Sequence, residues 1–237
     1  MVEVAVTESV PVISVTGGNP KGVLDLVKGH NIKTLVLVAA RRQAEKAQEL
    51  GADAVMVVGQ EGGGHLGRSD TGTMVLTPQI VDHLDIPVVA SGGIVDGRGL
   101  MAALAFGAEG IEMGTRFIAT KECQAAHSHY KQALLDADED STVVIKRSLG
   151  TPARALKNTW TDRILQLEAR ELGYEGLKDY ISGSANQRFI YDGLTEEGFA
   201  WAGQGAARIH DVPSVSDLMT KIITEAEDIR KKWSGQS

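Results

Sequence analysis

The sequence predicts an α/β fold of the TIM (β/α)8-barrel type, represented by about five β/α units and joined to a small helical lid. Three observations lead there. Between Pro11 and Ala119, short β-branched runs alternate with stretches of helical periodicity. The runs are apolar at nearly every position, as parallel strands covered on both faces should be. Glycines and polar residues collect after the strands, whereas the connections from helix back to strand are short.

In chain order the strands are expected at 12–15, 34–38, 54–58, 87–90 and 110–113. The helices between them are expected at 22–28, 41–50, 77–84 and 97–106, where apolar residues such as Ala44, Ala47 and Leu50 recur at helical spacing. Gly51-Ala52 and Gly107-Ala108 each end a helix, since glycine takes the left-handed C-terminal conformation freely and the next strand follows at once. The opposite connections are Thr16-Gly17-Gly18-Asn19-Pro20, residues 59–72, Ser91-Gly92-Gly93 and Gly114-Thr115-Arg116. They follow the C-terminal ends of strands, the side on which such sheets bind ligands. After Thr120 the pattern becomes helical and charge-rich. The expected organisation is a barrel portion over 1–149, a helical lid or substrate subdomain over 150–203, and a return loop with a final helix over 204–237.

Composition narrows the function. With 43% hydrophobic and 23% charged residues, the 237-residue chain has the make-up of a globular protein. A net charge of -7 argues against unspecific nucleic-acid binding, which depends on neutralising phosphates. The longest apolar run, around 35–40, is far shorter than the roughly 20 residues a membrane helix needs, and no basic-then-apolar leader opens the chain. A cytoplasmic protein that touches neither membrane nor nucleic acid is expected. Cys123 is the single cysteine, so no internal disulfide can form. It is expected to be a half-buried helix residue.

Two kinds of motif carry chemistry. Gly62-Gly63-Gly64 follows a strand and leads into His65. Glycines let backbone approach a ligand, though a loop that needs positive φ explains them equally well. An imidazole in that place can serve as general acid or base. The second kind is an anion site. Ser91-Gly92-Gly93, with Asp96-Gly97-Arg98-Gly99 opening a helix, and Gly114-Thr115 after the next strand both offer free backbone N–H groups beside helix N-termini. Two such loops side by side predict a phosphorylated ligand. Arg116 is expected to pair with Glu112 or Glu122 rather than with the phosphate, and Asp96 with Arg98. His127 and His129 are expected on one helix, pointing apart, with no metal between them.

These motifs, together with Pro87 to Ile94, Gly107 through Phe117, Leu156-Lys157-Asn158 and Ala202-Gly203-Gln204, closely resemble the nitronate monooxygenases, once called 2-nitropropane dioxygenases. That family includes the flavin-dependent enoyl-acyl-carrier-protein reductase II. The resemblance implies non-covalent FMN contacting Gly63, Gly92, Gly93, Glu112, Met113, Gly114 and Thr115. It implies His65 as the catalytic acid or base, with Gly64 and Gln204 near the substrate. Three activities follow as alternatives: oxidation of nitronates or nitroalkanes with O₂; reduction of an enoyl thioester with NAD(P)H as donor; or ligand binding by a non-catalytic barrel remnant. On the residues alone, a fourth reading is a different phosphate-binding barrel enzyme such as a sugar-phosphate isomerase.

Two departures stand out. Where the family usually has Glu-Ala-Gly-Gly-His, this chain has Gly62, expected to loosen the loop. The chain also starts just before what resembles the fourth strand, so it is expected to lack three N-terminal β/α units. Taken alone, such a chain is expected to bind FMN weakly, and exposed apolar surface suits self-association into a homo-oligomer.

Overall fold

A computed structural model describes residues 1–235. In chain order the strands are β1 (Val12–Val15), β2 (Lys33–Val38), β3 (Ala54–Val58), β4 (Gly64–His65), β5 (Val88–Ser91), β6 (Gly110–Glu112), β7 (Thr142–Ile145) and β8 (Ala153–Leu156). The helices are α1 (Val2–Thr7), α2 (Lys21–Val27), α3 (Arg41–Glu49), α4 (Thr73–Val81), α5 (Gly97–Ala105), α6 (Thr115–Ile118), α7 (Ser128–Leu135), α8 (Thr159–Glu168), α9 (Gly173–Leu177), α10 (Gly183–Ile190) and α11 (Val215–Trp233). A 3-10 turn spans Gln204–Arg208.

The main sheet is parallel throughout and runs β1-β2-β3-β5-β6 in sequence order. An order without reversal, joined by right-handed crossovers, places the helices on one side, as in a barrel wall. Side chains alternate accordingly. Val36, Val38, Val55, Val57 and Val88 are buried with Ala44 and Ala47 of α3 and Leu76 and Ile80 of α4. Their neighbours Leu35, Leu37, Met56 and Val89 face the other way and are only half-buried. The central strands β2, β3 and β5, apolar at nearly every position, are therefore covered closely on one face and partly on the other.

All five expected strands lie within one residue of their predicted bounds, and those at 12–15 and 54–58 match at both ends. The one at 87–90 slides forward by one, because Pro87 has no N–H for the ladder and offers only its carbonyl, which accepts from Val55 N at 3.0 Å. The helix expected at 77–84 begins instead at Thr73. Its first amide is capped by Glu61, twelve residues upstream, at 2.8 Å, a partner that local periodicity does not reveal.

The region after Thr120 differs more. Strands β7 and β8 stand where only helices were expected, and with β4 from the loop over 59–72 they form a three-stranded antiparallel sheet in the order β4-β8-β7. Strand β8 reads Ala-Arg-Ala-Leu and is buried at all four positions, a composition with little β-propensity that tertiary packing holds extended. The hairpin of β7 and β8 straddles the expected boundary at 149/150. Helices α8, α9 and α10 do cover this sheet through Ile164, Leu167, Leu177 and Ala185. The helix α1 was not expected and buries none of its residues.

The last helix, α11, docks on α5 through a close approach at Gly97. A Cβ there would lie 2.5 Å from Glu225 Cβ and 2.5 Å from the Ile222 carbonyl oxygen. Gly97 N also donates to Glu225 at 2.9 Å, and Asp96 caps α5 by accepting from the amides of Arg98 and Gly99. Gly97→Ala is expected to destabilise the protein by about 1–3 kcal/mol, the usual cost of overpacking, seen as a lower urea midpoint with an unchanged slope.

Candidate active site

The loops after β3, β5 and β6 converge on a cavity of about 280 Å³. Gly63, Gly64, His65, Gly92, Gly93, Glu112, Met113, Gly114 and Thr115 all line it, with Trp201, Gly203 and Gly205 closing it from the return segment. Gln204 does not: its side chain is exposed, and its amide donates to the Glu61 carbonyl at 2.9 Å. A wider cavity of about 730 Å³ lies alongside, bounded by Thr16 to Pro20 and the start of α3. Leu37, Val58, Gly63 and His65 border both, so the two spaces meet at His65.

One carboxylate organises the mouth of the sheet. Glu61 Oε2 accepts from Thr73 N at 2.8 Å and lies 3.0 Å from Thr73 Oγ1. The same hydroxyl lies 3.1 Å from the Ser91 carbonyl oxygen and 3.0 Å from that of Gly92. Arg154, almost wholly buried, holds the preceding residue by donating from Nε and Nη2 to the Gln60 carbonyl at 3.2 and 3.0 Å. A small network thus ties three loops and the second sheet together. The sequence showed Glu61 only as a letter of the motif, and neither Thr73 nor Arg154 was singled out.

The glycines divide by cause. Gly63 and Gly203 cross backbone to backbone: a Cβ on Gly63 would lie 2.6 Å from Gly203 N, and one on Gly203 2.6 Å from the Glu61 carbonyl oxygen. Gly92 and Gly93 have φ of 102° and 74°, conformations glycine takes without strain. Gly62 is not a loosening. It is buried, and a Cβ there would meet Val58 Cγ2 at 2.6 Å, so Val58 already fills the space an alanine needs. The amides of Gly92, Gly93, Gly114 and Thr115 have no protein acceptor among the described residues, although all four residues line the cavity.

His65 ends β4 at the cavity edge, its ring 5.6 Å from that of Trp201. Its Nε2 lies 2.8 Å from Lys146 Nζ. Burial, and then the Lys146 ammonium, lower its pKa from the ordinary histidine value. Lys146 also sits over Trp201, 5.8 Å from the ring centroid. Tyr130 secures that wall by donating from Oη to the Trp201 carbonyl. Burial raises the phenol's pKa, so it keeps its proton.

Other residues depart from expectation. Arg116 is buried and pairs with neither Glu112 nor Glu122; Nη1 donates to Asp211 at 2.9 Å and Nη2 to the carbonyls of Ala119 and Asp211 at 2.7 Å. Asp211 is 95 residues away in sequence, hence invisible to local reading. Glu112 instead accepts from Ser91 Oγ, and Glu122 from Val215 N. Asp96 pairs with Arg98 as expected, and also with Arg208. His127 caps α7 rather than lying within it, so its ring and that of His129 meet edge to face at 4.7 Å instead of pointing apart. Cys123 is half-buried but lies in a loop. Among the described residues no three His, Cys, Asp or Glu side chains gather as metal ligands, and no helix is long and apolar enough to cross a membrane.

The class these features define is a (β/α)-barrel-type protein whose glycine-lined cleft, at the C-terminal ends of parallel strands, has unpaired amides beside a histidine. Comparison with known proteins narrows this. The family model described as nitronate monooxygenase matches residues 1–225, and the chain belongs to that family. A probable nitronate monooxygenase of Staphylococcus saprophyticus is 31% identical, over 98% of this chain and 67% of its own length. The structure is similar to that of FabK from Thermotoga maritima, with TM-score 0.90 and 34% identity over 100% of this chain and 74% of the other. It is also similar to nitroalkane oxidase from Streptomyces ansochromogenes, with TM-score 0.80 and 28% identity over 98% and 68%. The chain spans about two thirds of the length of the curated relatives it matches.

Thr73→Val keeps the side-chain volume and removes the hydroxyl from the network. It is expected to cost about 1–3 kcal/mol through polar groups left unpaired, measured by chemical denaturation of the purified chain.

Proposed function

We propose that this chain is the FMN-binding and catalytic part of an oxidoreductase that oxidises nitronates or nitroalkanes with O₂. The observation that carries the reading is the group of amides at Gly92, Gly93, Gly114 and Thr115, without protein acceptors and side by side on the cavity wall. Such N–H groups suit a phosphate. The two adjoining spaces, about 280 and 730 Å³, together have the scale of a cofactor site with room for a small substrate.

When bound, FMN supplies the electron-accepting chemistry. The chain's own residues do the rest. Gly92, Gly93, Gly114 and Thr115 would hold the phosphate, and Gly63 and Gly64, which line the same cavity, would lie beside the rest of the cofactor. His65, where the two cavities meet, takes the proton from the carbon beside the nitro group or hands it on. The Trp201 ring packs against one side of His65, 5.6 Å between centroids. A lowered imidazole pKa favours this role, because the neutral, proton-accepting form then persists to a lower pH.

A second reading is an enoyl-thioester reductase using NAD(P)H, with His65 near the thioester carbonyl. Its support is the fit to FabK, higher than that to nitroalkane oxidase in both TM-score and identity.

Both readings predict a flavin absorbance spectrum after reconstitution with FMN. Oxygen uptake with propionate 3-nitronate and no nicotinamide is the expected result; flavin reduced by NADH or NADPH and reoxidised by crotonyl thioester supports the reductase instead. His65→Asn is expected to retain FMN and lose about 10²–10⁴-fold in turnover, the usual share of a positioned acid or base. Full turnover in that variant removes His65 from the chemistry.

A further inference from the structure

We infer that Lys146 is a positioning residue that keeps His65 as a neutral imidazole with its proton on Nδ1. The inference rests on His65 being the proton-transfer group and adds what sets its state. An ammonium has only protons to give, so the 2.8 Å contact between Lys146 Nζ and His65 Nε2 makes Nε2 the acceptor. The ring proton of the neutral imidazole then lies on Nδ1. Protonating Nε2 would oppose two cations at that distance, so the ammonium must swing away before His65 can take a proton there.

The backbone gives an independent reason to see a purpose in the placement. Lys146 has φ 66°, in the left-handed region that glycine occupies freely and lysine does not. Such a conformation persists only where the surroundings fix it, and it gathers at functional sites. Here the turn is fixed from both sides. Lys146 N donates to Glu168 Oε2 at 2.9 Å, and Glu168 Oε1 also accepts from Ser148 N at 3.0 Å. From this anchored turn the side chain passes over the Trp201 ring to His65.

The other charged groups near His65 are engaged elsewhere. Arg147 pairs with Asp70 at 3.0 Å. Arg154 donates to Gln60 and to Thr142. Glu61 is taken up by Thr73, and Glu168 by the backbone of the turn. Lys146 is the charged side chain whose end group touches the imidazole. Partial burial lowers the pKa of Lys146 as well, although the contact itself lies open to solvent on the His65 side.

The test is an NMR titration of the full chain labelled in its histidine rings, with His65 assigned by the signal lost in His65→Asn. In the unaltered chain His65 is expected to titrate below an ordinary histidine and to show Nδ1 as the protonated nitrogen. Lys146→Met keeps the length and apolar stem but removes the charge; the His65 midpoint should rise. Lys146→Arg restores a charged donor and should return the midpoint towards its original value. An unchanged midpoint in Lys146→Met, or protonation on Nε2 in the unaltered chain, overturns the inference. The titration needs neither cofactor nor turnover, so absence of nitronate oxidation would count against the proposed function while leaving the His65–Lys146 result to stand or fall alone.

Discussion

Glu61 sends its carboxylate across the mouth of the sheet to the amide and hydroxyl of Thr73, and its own carbonyl accepts from Gln204. Thr73 in turn lies against the carbonyls of Ser91 and Gly92. Through these few bonds the loop that carries His65, the start of α4, the loop after β5 and the return segment hold one arrangement. Each is a connection with little regular structure of its own, and loops of that kind are the mobile part of a protein unless tied. A partly buried carboxylate that accepts from a fixed backbone amide is a strong tie. The shape of the cleft therefore depends on a group that need not contact any ligand.

A second layer of support comes from the smaller sheet. Strand β8 pairs with β4 at Gly64 and His65, Arg154 on β8 reaches back to Gln60, and Tyr130 fixes Trp201 from below. The histidine is thus carried on a paired strand, not on a free loop. Rigid support of this kind is what the proton transfer proposed for His65 would need.

What could be read from the sequence follows from the range of the interactions involved. The parallel strands and the glycine-rich loops are written locally, in runs of β-branched residues and in adjacent glycines, and the candidate residues those loops carry come together around one cavity, whereas the Gln204 side chain faces solvent. The parts missed depend on distant partners. The start of α4 is set by a carboxylate twelve residues away, and Arg116 by Asp211. Strand β8 is extended because of what covers it rather than by the preference of alanine and arginine. Lys146 gave no signal at all: a lysine in a polar turn is ordinary in sequence, and only its φ and its neighbour set it apart.

The fit between Gly62 and Val58 has a meaning for how this loop can vary over time. The two positions share one small volume, filled here from the strand side. Alanine at 62, the form the motif usually takes, becomes acceptable in this chain only alongside a smaller or shifted residue at 58. Neither substitution is neutral alone, so the route between the two versions of the motif passes through the pair. Divergent relatives should therefore exchange bulk between strand and loop while the floor of the cleft keeps its shape.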